Sequence, residues 1–470
     1  MELTKFSLIK MINEYLFIAI PLFFLIAAVI FRRWRTGVVL IFIWLLVEDV
    51  IRRLIPGQPG QIMLVKDILI LLTYSSFLAT MAIKDKKIWR PSFIISLLLF
   101  IGFVLIEVFN YNAPNLFFGA IGLRHYLWYL PLAFLGYHMF DDKEKLLKFC
   151  RILVYAAIPL FALIIFQYLF WDSNIVFLRS LSTGHQFHNF TLVESEKIPL
   201  LSSVFGSAHR YARFSMLLFF LGVGLLTIKK SKILIISTIS AFLGIILSGS
   251  RSAFVLTIMG IVLFIISAVY VKNNKIFSLW RNSRVKASLL VSILALAGLM
   301  VFIISDLGIF QITAFYYAFQ ERIPSMMFKE FNRTFPEAKL FGNGAGTMSQ
   351  GLDYIPGGLD WIRYQTQELR TDSWFENGVS KIIFELGFAG LIIFYFFWGY
   401  LFYRTKKEIK KLNISPLRNL AVAISTFSFL MLIWFSFLHH QTFGDATTLA
   451  TLWFFIGVLF NLNKLATSTA

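Results

Sequence analysis

Charged residues are scarce in this sequence. Asp, Glu, Lys and Arg make up 15% of the 470 residues, whereas soluble domains carry roughly a quarter. Hydrophobic residues make up 58%, and they come in uncharged blocks such as 15–31, 233–247 and 253–271. Each block has about the length that a helix needs to cross ~30 Å of hydrocarbon. The composition therefore excludes a soluble fold and predicts a polytopic membrane protein.

Cysteine and metal-binding patterns are also nearly absent. The single Cys150 excludes a disulfide within the chain. The seven histidines form no ligand-spaced pair apart from the adjacent His439 and His440, and no Asp-x-Asp pattern occurs in a predicted outer loop. Alternating runs of about ten residues, typical of membrane barrels, are missing too. We expect membrane helices, no metal site and no cofactor.

Acidic residues are outnumbered by basic ones, 25 to 44, which gives a net charge of +19. The basic residues gather in short clusters between the apolar blocks, at Arg32–Arg35, Lys84–Lys87, Lys143–Lys148, Lys229–Lys232, Lys272–Lys286 and Arg404–Lys411. Such clusters are typical of cytoplasmic loops, so nucleic acid is not an expected partner. The first apolar block is followed by basic residues and by no small-residue cleavage site. We therefore expect a span there and not a cleaved signal peptide.

The apolar blocks predict an all-α protein of about 12–14 transmembrane helices. The spans are expected near 15–31, 38–51, 61–83, 91–110, 125–140, 149–171, 211–228, 233–248, 252–271, 287–307, 377–403, 417–438 and 446–462. The basic clusters fall in every second loop. This alternation predicts a cytoplasmic C-terminus and an N-terminus outside.

Three outer loops follow from this topology, at 111–124, 172–210 and 308–376. A connection as long as the third is usually functional. The expected division of the chain is about ten helices in 1–307, a long periplasmic loop in 308–376 and the last helices in 377–470. The chain shows no internal repeat, so the inverted halves of many secondary transporters are not indicated.

The turn Ser248–Ser252 interrupts two apolar helices. Cytoplasmic lysines lie one span away on either side, so Arg251 is expected to face outside, against the usual charge rule. A helix N-terminus, the hydroxyls of Ser250 and Ser252 and a guanidinium together form an anion site. Alternatively, Ser252 caps the helix and Arg251 reaches a lipid headgroup. The sequence does not separate these two interpretations.

Two other predicted helix starts carry basic residues on the same side. The fifth span opens with Arg124 and His125, and the seventh with His209, Arg210 and Arg213. Each arginine alone is typical of a side chain that reaches toward the membrane surface. Because three helix starts share the side where positive charge is disfavoured, we expect a common anionic ligand such as a lipid-linked diphosphate.

The long outer loop ends at Glu376, directly before the eleventh predicted span. A carboxylate at this position stabilises the first turn of a helix. At a dehydrated membrane boundary it also has the chemistry of a general base. The further residues expected to line the same cavity are His125, His209, Asn377, Arg363 and Arg370.

The order of these motifs resembles the O-antigen ligase and O-antigen polymerase family of bacterial glycan assembly. The matching residues are, in chain order, Gly122-Leu123-Arg124 with Tyr129-Leu130-Pro131, the turn Ser248–Ser252, the glycine turn Gly342–Gly346, and Glu376-Asn377 followed by nine residues and Gly387-Phe388-Ala389-Gly390. The last pattern is similar to the family's His-Asn, nine residues, Gly-x-x-Gly. With the number of spans and the long outer loop, the resemblance covers most of the chain.

The resemblance implies a GT-C-like fold in the bacterial inner membrane, with the active site facing the periplasm. It implies metal-independent transfer of a glycan from undecaprenyl diphosphate to an acceptor hydroxyl, with inversion of configuration. The residues implied to hold the diphosphate are Arg251, Arg124, and Arg210 or Arg213, with Ser250 and Ser252 beside them. Glu376 would accept the proton of the acceptor. The ligases typically carry histidine at this position, so Glu376 favours a polymerase of lipid-linked repeat units.

Two alternatives stay open at this point. An O-antigen ligase or protein O-oligosaccharyltransferase would move the finished glycan to lipid A core or to a protein. A transporter or flippase for polyprenyl-linked glycans would belong to another class, and such proteins carry ionisable residues near the middle of the membrane. Besides the bilayer and the lipid-linked glycan, which serves as donor and acceptor, a chain-length regulator protein is an expected partner of a polymerase.

Overall fold

The computed structural model describes residues 24–54, 59–170, 180–181, 187–188, 190–193, 196–199, 201–269, 330–335, 339–352, 355–358, 360–361, 363–364, 377–412 and 415–467. The chain divides into two compact units, with the boundary between Trp89 and Arg90. The predicted span 287–307 and most of the predicted span 15–31 lie outside the described residues.

The first unit contains a pair of antiparallel helices. These are α1 (Trp34–Leu54) and α2 (Pro59–Ile83), and residues 24–32 before them are also helical. Glu48 of α1 and Lys66 of α2 form a buried ion pair with 2.6 Å between Oε1 and Nζ. Nearer the other end of the pair, Ser76 Oγ donates a hydrogen bond of 2.7 Å to the carbonyl of Ile30. Polar contacts thus fix the register of two otherwise apolar helices.

The second unit contains most of the helices. In chain order these are α3 (Ile94–Val108), α4 (Leu116–Tyr126), α5 (Leu132–Met139), α6 (Lys143–Tyr155), α7 (Ala157–Leu169), α8 (Ala208–Leu226), α9 (Lys232–Leu247), α10 (Arg251–Val269), α11 (Glu330–Thr334), α12 (Gly378–Lys411), α13 (Arg418–Ile433) and α14 (Ala446–Thr467). A π-helical turn, Trp434–Leu438, continues α13, and a 3-10 turn, His440–Phe443, follows it.

Helices α8 and α14 form the interior of the second unit. Helix α8 packs against α6, α9, α10, α13 and α14, and most of its residues are buried. Helix α14 packs closely on α5, where Gly136 lies against the carbonyl of Phe454 and Gly457 against that of Ala133. Neither glycine has room for a side chain. Such close contact through small residues is typical of helices that associate within membranes.

Several helices have the length and the apolar surface of membrane spans. Within the described residues, the stretches long and apolar enough to cross a bilayer are Gln61–Ile83, Lys143–Leu169, Gly378–Lys411, Arg418–Leu438 and Ala446–Thr467. Helix α9 also exposes a row of isoleucines, Ile233, Ile235, Ile236 and Ile239, on its outward face, as expected of a lipid-facing surface. The protein is therefore helical and membrane-spanning, which confirms this part of the prediction. The total of about 12–14 spans stays a prediction.

Helix α4 lies in the stretch 111–124 that was predicted to be an outer loop. Asn115 caps this helix, because its side chain accepts a hydrogen bond of 3.0 Å from the backbone N–H of Phe117. An Asn N-cap satisfies one of the free N–H groups at a helix start. The helix has only 11 residues, which is too short for a span and explains why its apolar pattern was not assigned to one.

The predicted span 125–140 is consequently divided. The chain turns over 127–131, and α5 starts directly after Pro131. Proline has no N–H to lose and a φ that suits a helix start, so it favours this boundary. Arg124 and His125 therefore lie in the last turn of α4. The prediction that they open a span was wrong.

The predicted outer loop 172–210 contains two short antiparallel hairpins. They pair β1 (Ser180–Leu181) with β2 (Phe187–His188) and β3 (Phe190–Val193) with β4 (Glu196–Pro199). The all-α prediction did not include these strands. In the predicted loop 308–376, the described residues contain the short helix α11.

Candidate functional site

Three chain segments meet at the N-terminal end of α8. They are the first turn of α8, the turn that precedes α10 and the loop that precedes α14. His209 Nδ1 lies 2.8 Å from Ser250 Oγ, and Arg210 Nε lies 2.8 Å from Asp445 Oδ1. We call these residues the arginine cluster: His209, Arg210, Arg213, Ser250, Arg251 and Asp445. Two of the three predicted arginine-bearing segments are thus adjacent.

Helix α8 presents two arginines on one face. The helix begins three residues before the predicted start, because Ser207 Oγ accepts a hydrogen bond of 3.2 Å from the N–H of Arg210 and so caps it. Arg210 and Arg213 therefore both lie within the helix. Residues three apart in a helix are neighbours on its surface, and this spacing lets both side chains reach one carboxylate.

Asp445 holds these arginines in two different environments. Its Oδ1 faces Arg210, whose side chain is 24% exposed, and its Oδ2 lies 3.3 Å from Arg213, whose side chain is 4% exposed. Arg213 also donates to Thr448 Oγ1 at 2.9 Å and lies over the ring of Trp434. Arg213 is therefore anchored in the interior, whereas Arg210 reaches the surface.

Asp445 was not identified from the sequence. It precedes α14 and accepts a hydrogen bond of 3.2 Å from the N–H of Thr448, so it caps this helix. Burial raises the pKa of its carboxyl, but the charges of Arg210 and Arg213 and the hydrogen bonds from Thr448 outweigh burial and hold the pKa below its ordinary value. Its one visible feature in the sequence is its position directly before an apolar span.

The predicted turn before α10 is present and is tightly held. Gly249 has a φ of 75°, a conformation that favours glycine. The N–H of Ser250 donates to Ser248 Oγ at 3.2 Å, and Ser250 Oγ lies 3.5 Å from Ser252 Oγ. Ser250 is buried, whereas Arg251 is half-buried at the first position of α10. The turn therefore combines hydroxyls, a guanidinium and a helix N-terminus, as the anion-site interpretation requires.

Aromatic rings surround His209 in the arginine cluster. The ring centroid of His439 is 5.3 Å from that of His209, and the ring of Trp434 meets it edge-on at 6.4 Å. Both residues come from the irregular end of α13, where the helix widens into the π-helical turn. Such turns occur frequently at functional sites. Here the turn directs an indole toward both His209 and Arg213.

A second feature lies where the long loop segment 339–344 meets a break in α12. Gly387 has a φ of 69°, and a Cβ there would lie 2.5 Å from the carbonyl of Leu340. Four hydrogen bonds replace those lost at the break, from Phe388 N to Lys339 O (3.0 Å), Ala389 N to Leu340 O (3.0 Å), Asn343 N to Phe384 O (2.9 Å) and Gly344 N to Glu385 O (3.2 Å). The loop therefore supplies hydrogen-bond partners to backbone groups on both sides of the break, as a membrane interior demands.

The glycine turn Gly342–Gly346 packs between α4 and α12. The backbone of Ala345 occupies the space where Gly122 would carry a side chain. On the neighbouring helix, Glu107 Oε1 accepts from the N–H of Gly342 at 3.3 Å. The glycine motifs at 122, 342–346 and 387 thus meet in one place, and the glycine turn connects the long loop to the helices.

A buried polar network lies beneath this contact. Glu385 Oε2 accepts from Tyr126 Oη at 2.6 Å, and Glu385 Oε1 accepts from the N–H of Met348 at 2.8 Å and from Ser349 Oγ at 3.0 Å. Lys381 Nζ donates to Ser349 Oγ at 2.9 Å and lies 3.8 Å from Glu385 Oε2. We call these five residues the Glu385 network. It joins α4, the long loop and α12.

His125 connects the end of α4 with the arginine cluster. A Cβ on Gly444 would lie 3.6 Å from His125 Cε1 and 3.1 Å from Gln350 Oε1, and Gly444 directly precedes Asp445. His125 is buried, and neither ring nitrogen has a hydrogen-bond partner among the described residues. The third predicted basic segment, which includes Arg124, thus ends beside the loop that carries Asp445.

Two of the remaining predicted residues, Asn377 and Arg363, belong to the described part of the chain. Asn377 caps α12, because its Oδ1 accepts from the N–H of Ser380 at 2.7 Å, while its Nδ2 donates to Glu330 at 2.8 Å. Arg363 is exposed on the loop. Glu376 and Arg370 lie outside the described residues. The general-base role of Glu376 therefore stays a prediction.

The arginine cluster has the chemistry of a phosphate site. It offers an accessible guanidinium, serine hydroxyls, an imidazole and the N-termini of α8 and α10, all of which favour phosphate oxygens. In the part of the chain that the structure describes, no group of three or more His, Cys, Asp or Glu side chains is placed to hold a metal ion. No protein-family model matches the chain, and no curated protein matches it. The family resemblance therefore rests on the motifs alone.

Proposed function

We propose that this protein is a glycosyltransferase of the bacterial inner membrane that polymerises oligosaccharide repeat units carried on undecaprenyl diphosphate. The reaction takes place at the periplasmic face, in a GT-C-like arrangement of helices. The proposal joins two sources of support, the motif order that resembles O-antigen polymerases and the chemistry of the arginine cluster.

One observation carries the proposal. The contact of His209 with Ser250, 41 positions further along the chain, joins the starts of α8 and α10. Arg210 and Arg251 directly follow these two residues, so we assign them to one site. Asp445 neutralises one of the two guanidiniums on α8 and leaves the cluster positive. A positive site with several N–H and O–H donors is suited to a diphosphate.

The residues take different parts in this proposal. Arg210 and Arg251 bind the diphosphate, and the resemblance adds Arg124 to them. Arg213 is buried and paired, so it anchors Asp445 and contacts no ligand. Ser250 and Ser252 line the turn that receives the phosphate oxygens.

In the reaction, the hydroxyl of the acceptor unit attacks the anomeric carbon of the donor glycan. The bond between that carbon and the diphosphate oxygen breaks, and its electron pair leaves with the diphosphate. Guanidiniums aimed at the departing oxygens stabilise this charge as it develops. Attack from the side opposite the leaving group inverts the configuration. Glu376, from the resemblance, accepts the proton of the attacking hydroxyl.

The test is a reconstitution of purified protein with undecaprenyl-diphosphate repeat units in the presence of a chelator. The product is read as a ladder of glycan lengths on a gel. Wild type is expected to make a ladder, and Arg210→Ala and Arg251→Ala are each expected to lower its rate about 100-fold. Arg151→Ala is the matched control, because the Arg151 side chain is 31% exposed on α6 and pairs with Glu144 outside the cluster.

Other outcomes distinguish the alternatives. A single shifted product that appears only with added lipid A core or protein acceptor would indicate a ligase. Movement of labelled lipid across the bilayer without any new glycosidic bond would indicate a transporter. Full activity of both arginine variants would contradict the proposed diphosphate site.

A further inference from the structure

His209 occupies a central position in the arginine cluster. It is the second residue of α8, directly before Arg210, and its Nδ1 contacts Ser250, directly before Arg251. It therefore joins the two arginine-bearing segments through its side chain. His209 is half-buried, so part of the residue is accessible.

The contact with Ser250 links the tautomer of His209 to the direction of one hydrogen bond. In a neutral imidazole one nitrogen donates and the other accepts. Ser250 Oγ lies 2.8 Å from Nδ1 and 3.5 Å from Ser252 Oγ, so its shorter contact is with the imidazole, and either atom of that contact can donate. When Ser250 donates to Nδ1, the proton of the ring is on Nε2.

The charged groups described near His209 are three arginines and one aspartate. Arg210 and Arg213 extend from the same helix, Arg251 follows Ser250, and Asp445 faces the two arginines of α8. His439, the titratable group opposite the ring, is 5.3 Å away between centroids. A further positive charge in this group would be repelled, whereas an N–H donor adds a hydrogen bond at no such cost.

We propose that His209 is a ligand-binding residue of the diphosphate site, and that Ser250 fixes the tautomer in which Nε2–H donates to an oxygen of the distal phosphate. The inference rests on the proposed function, since it names a further residue of the same site. The distal phosphate is the one that bears the glycan. Its bridging oxygen receives the electron pair when the bond to the anomeric carbon breaks, and His209 stabilises that charge without giving up its proton.

The position on the distal phosphate yields a direct binding test. Undecaprenyl diphosphate has this phosphate and undecaprenyl monophosphate lacks it. Binding of each lipid to the full-length protein is measured in phosphatidylcholine nanodiscs. His209→Ala is expected to weaken diphosphate binding about tenfold and to change monophosphate binding less than twofold, since one charge-assisted hydrogen bond is lost.

Two isosteric variants distinguish hydrogen-bond donation by Nε2 to the phosphate from the contact that Nδ1 makes with Ser250. The amide nitrogen of glutamine lies where Nε2 lies in histidine, and that of asparagine lies where Nδ1 lies. His209→Gln should therefore bind the diphosphate within about threefold of wild type, whereas His209→Asn should lose as much as His209→Ala. His138→Gln in α5, outside the cluster, is the control, and thermal unfolding verifies that each variant is folded.

The possible results separate the role of His209 from the proposed function. Equal weakening of both lipids, or an asparagine variant that binds as well as the glutamine variant, would overturn the role of His209. A glycan ladder from wild type with an unaffected His209→Ala would overturn this inference and leave the proposed function standing. If His209→Ala selectively loses diphosphate binding but the wild-type protein makes no ladder, the inference stands and the proposed polymerase activity is contradicted.

Discussion

Asp445 determines the net charge of the arginine cluster and the orientation of its two guanidiniums on α8. It shares one carboxylate between two guanidiniums, and it directs one of them inward and the other outward. Because one negative charge faces two positive ones, the group keeps a net charge of about +1, to which Arg251 adds. A second acidic residue at this point would have cancelled the attraction for a phosphate.

The first prediction concerns Asp445→Asn and the loss of stability of the protein at low pH. The pKa of Asp445 is lower in the folded than in the unfolded state, where it is about 3.9. Its contribution to stability is therefore complete above that value and is lost as pH falls through the lower folded pKa. Asp445→Asn should lower the melting temperature at pH 7 by several degrees, since it leaves Arg213 buried without a counter-charge.

Thermal unfolding in nanodiscs between pH 2 and 7 checks this prediction. The acid-dependent loss should be smaller in Asp445→Asn than in wild type, because the variant no longer has the titrating group. Asp141→Asn, at an exposed aspartate, should reproduce the wild-type curve. Parallel curves for Asp445→Asn and wild type would show that the ion pairs contribute no pH-dependent stability.

The second prediction concerns the charge balance of the Glu385 network. Glu385→Ala removes the acceptor of three hydrogen bonds and leaves Lys381 buried, which costs about 3–5 kcal/mol in comparable buried pairs. Adding Lys381→Met to that variant should restore a large part of the loss, because the uncompensated charge disappears. The free energy of unfolding of the two single variants and the double variant measures the coupling. A double variant no more stable than Glu385→Ala would contradict it.

At the scale of the element, α12 consists of two helical halves joined at Gly387. The four exchanged hydrogen bonds make the loop segment 339–344 a part of this helix in energetic terms. The third prediction is that Gly387→Ala destabilises the protein by about 1–3 kcal/mol, since alanine is strained at positive φ and its Cβ meets the loop backbone. Gly399→Ala in the same helix should be neutral or slightly stabilising, because nothing lies within 4 Å of its Cβ position.

Limited proteolysis and thermal unfolding measure this difference. The alanine at 387 should expose the segment 339–344 to cleavage, whereas the alanine at 399 should leave it protected. Equal behaviour of the two variants would mean that the break in α12 does not depend on glycine.

The helices that were predicted well are those whose apolar runs end at charged residues. The predicted starts at 211, 233 and 252 differ from those of α8, α9 and α10 by one to three residues. Helix α4 was missed because it has only 11 residues, and a hydropathy pattern of that length does not separate a short helix from a loop. The break at Gly387 was missed because a single glycine within an apolar run is also compatible with a continuous helix.

At the scale of the whole molecule, the distribution of basic residues predicts which side of the membrane each loop faces. The fourth prediction is that Tyr111→Cys reacts with a membrane-impermeant maleimide in intact cells, whereas Lys230→Cys reacts only after permeabilisation. Tyr111 is 93% exposed, Lys230 is also exposed, and the single natural Cys150 is buried, so the background is low. Labelling of Lys230→Cys in intact cells would show that the true topology is the inverse of the predicted one.

The site could be predicted from the sequence only in part. The basic residues at 209–213 and at 251 were identified because they interrupt apolar runs on the side where positive charge is disfavoured. Their partner Asp445 is 232 positions from Arg213, and Tyr126 is 259 positions from Glu385. No local pattern carries such pairings, since they depend on how the helices pack. The sequence thus predicts which groups are available, and the packing decides which of them is buried and which reaches a ligand.

The exchange of hydrogen bonds at Gly387 has a consequence for biogenesis. A helix interrupted inside a bilayer would leave N–H and C=O groups unsatisfied, at several kcal/mol each. The segment that satisfies them, 339–344, precedes the break in the chain. During synthesis it therefore leaves the ribosome before the interrupted helix does. The order of translation supplies the partner first, so that the second half of α12 meets a segment ready to receive it when it enters the membrane.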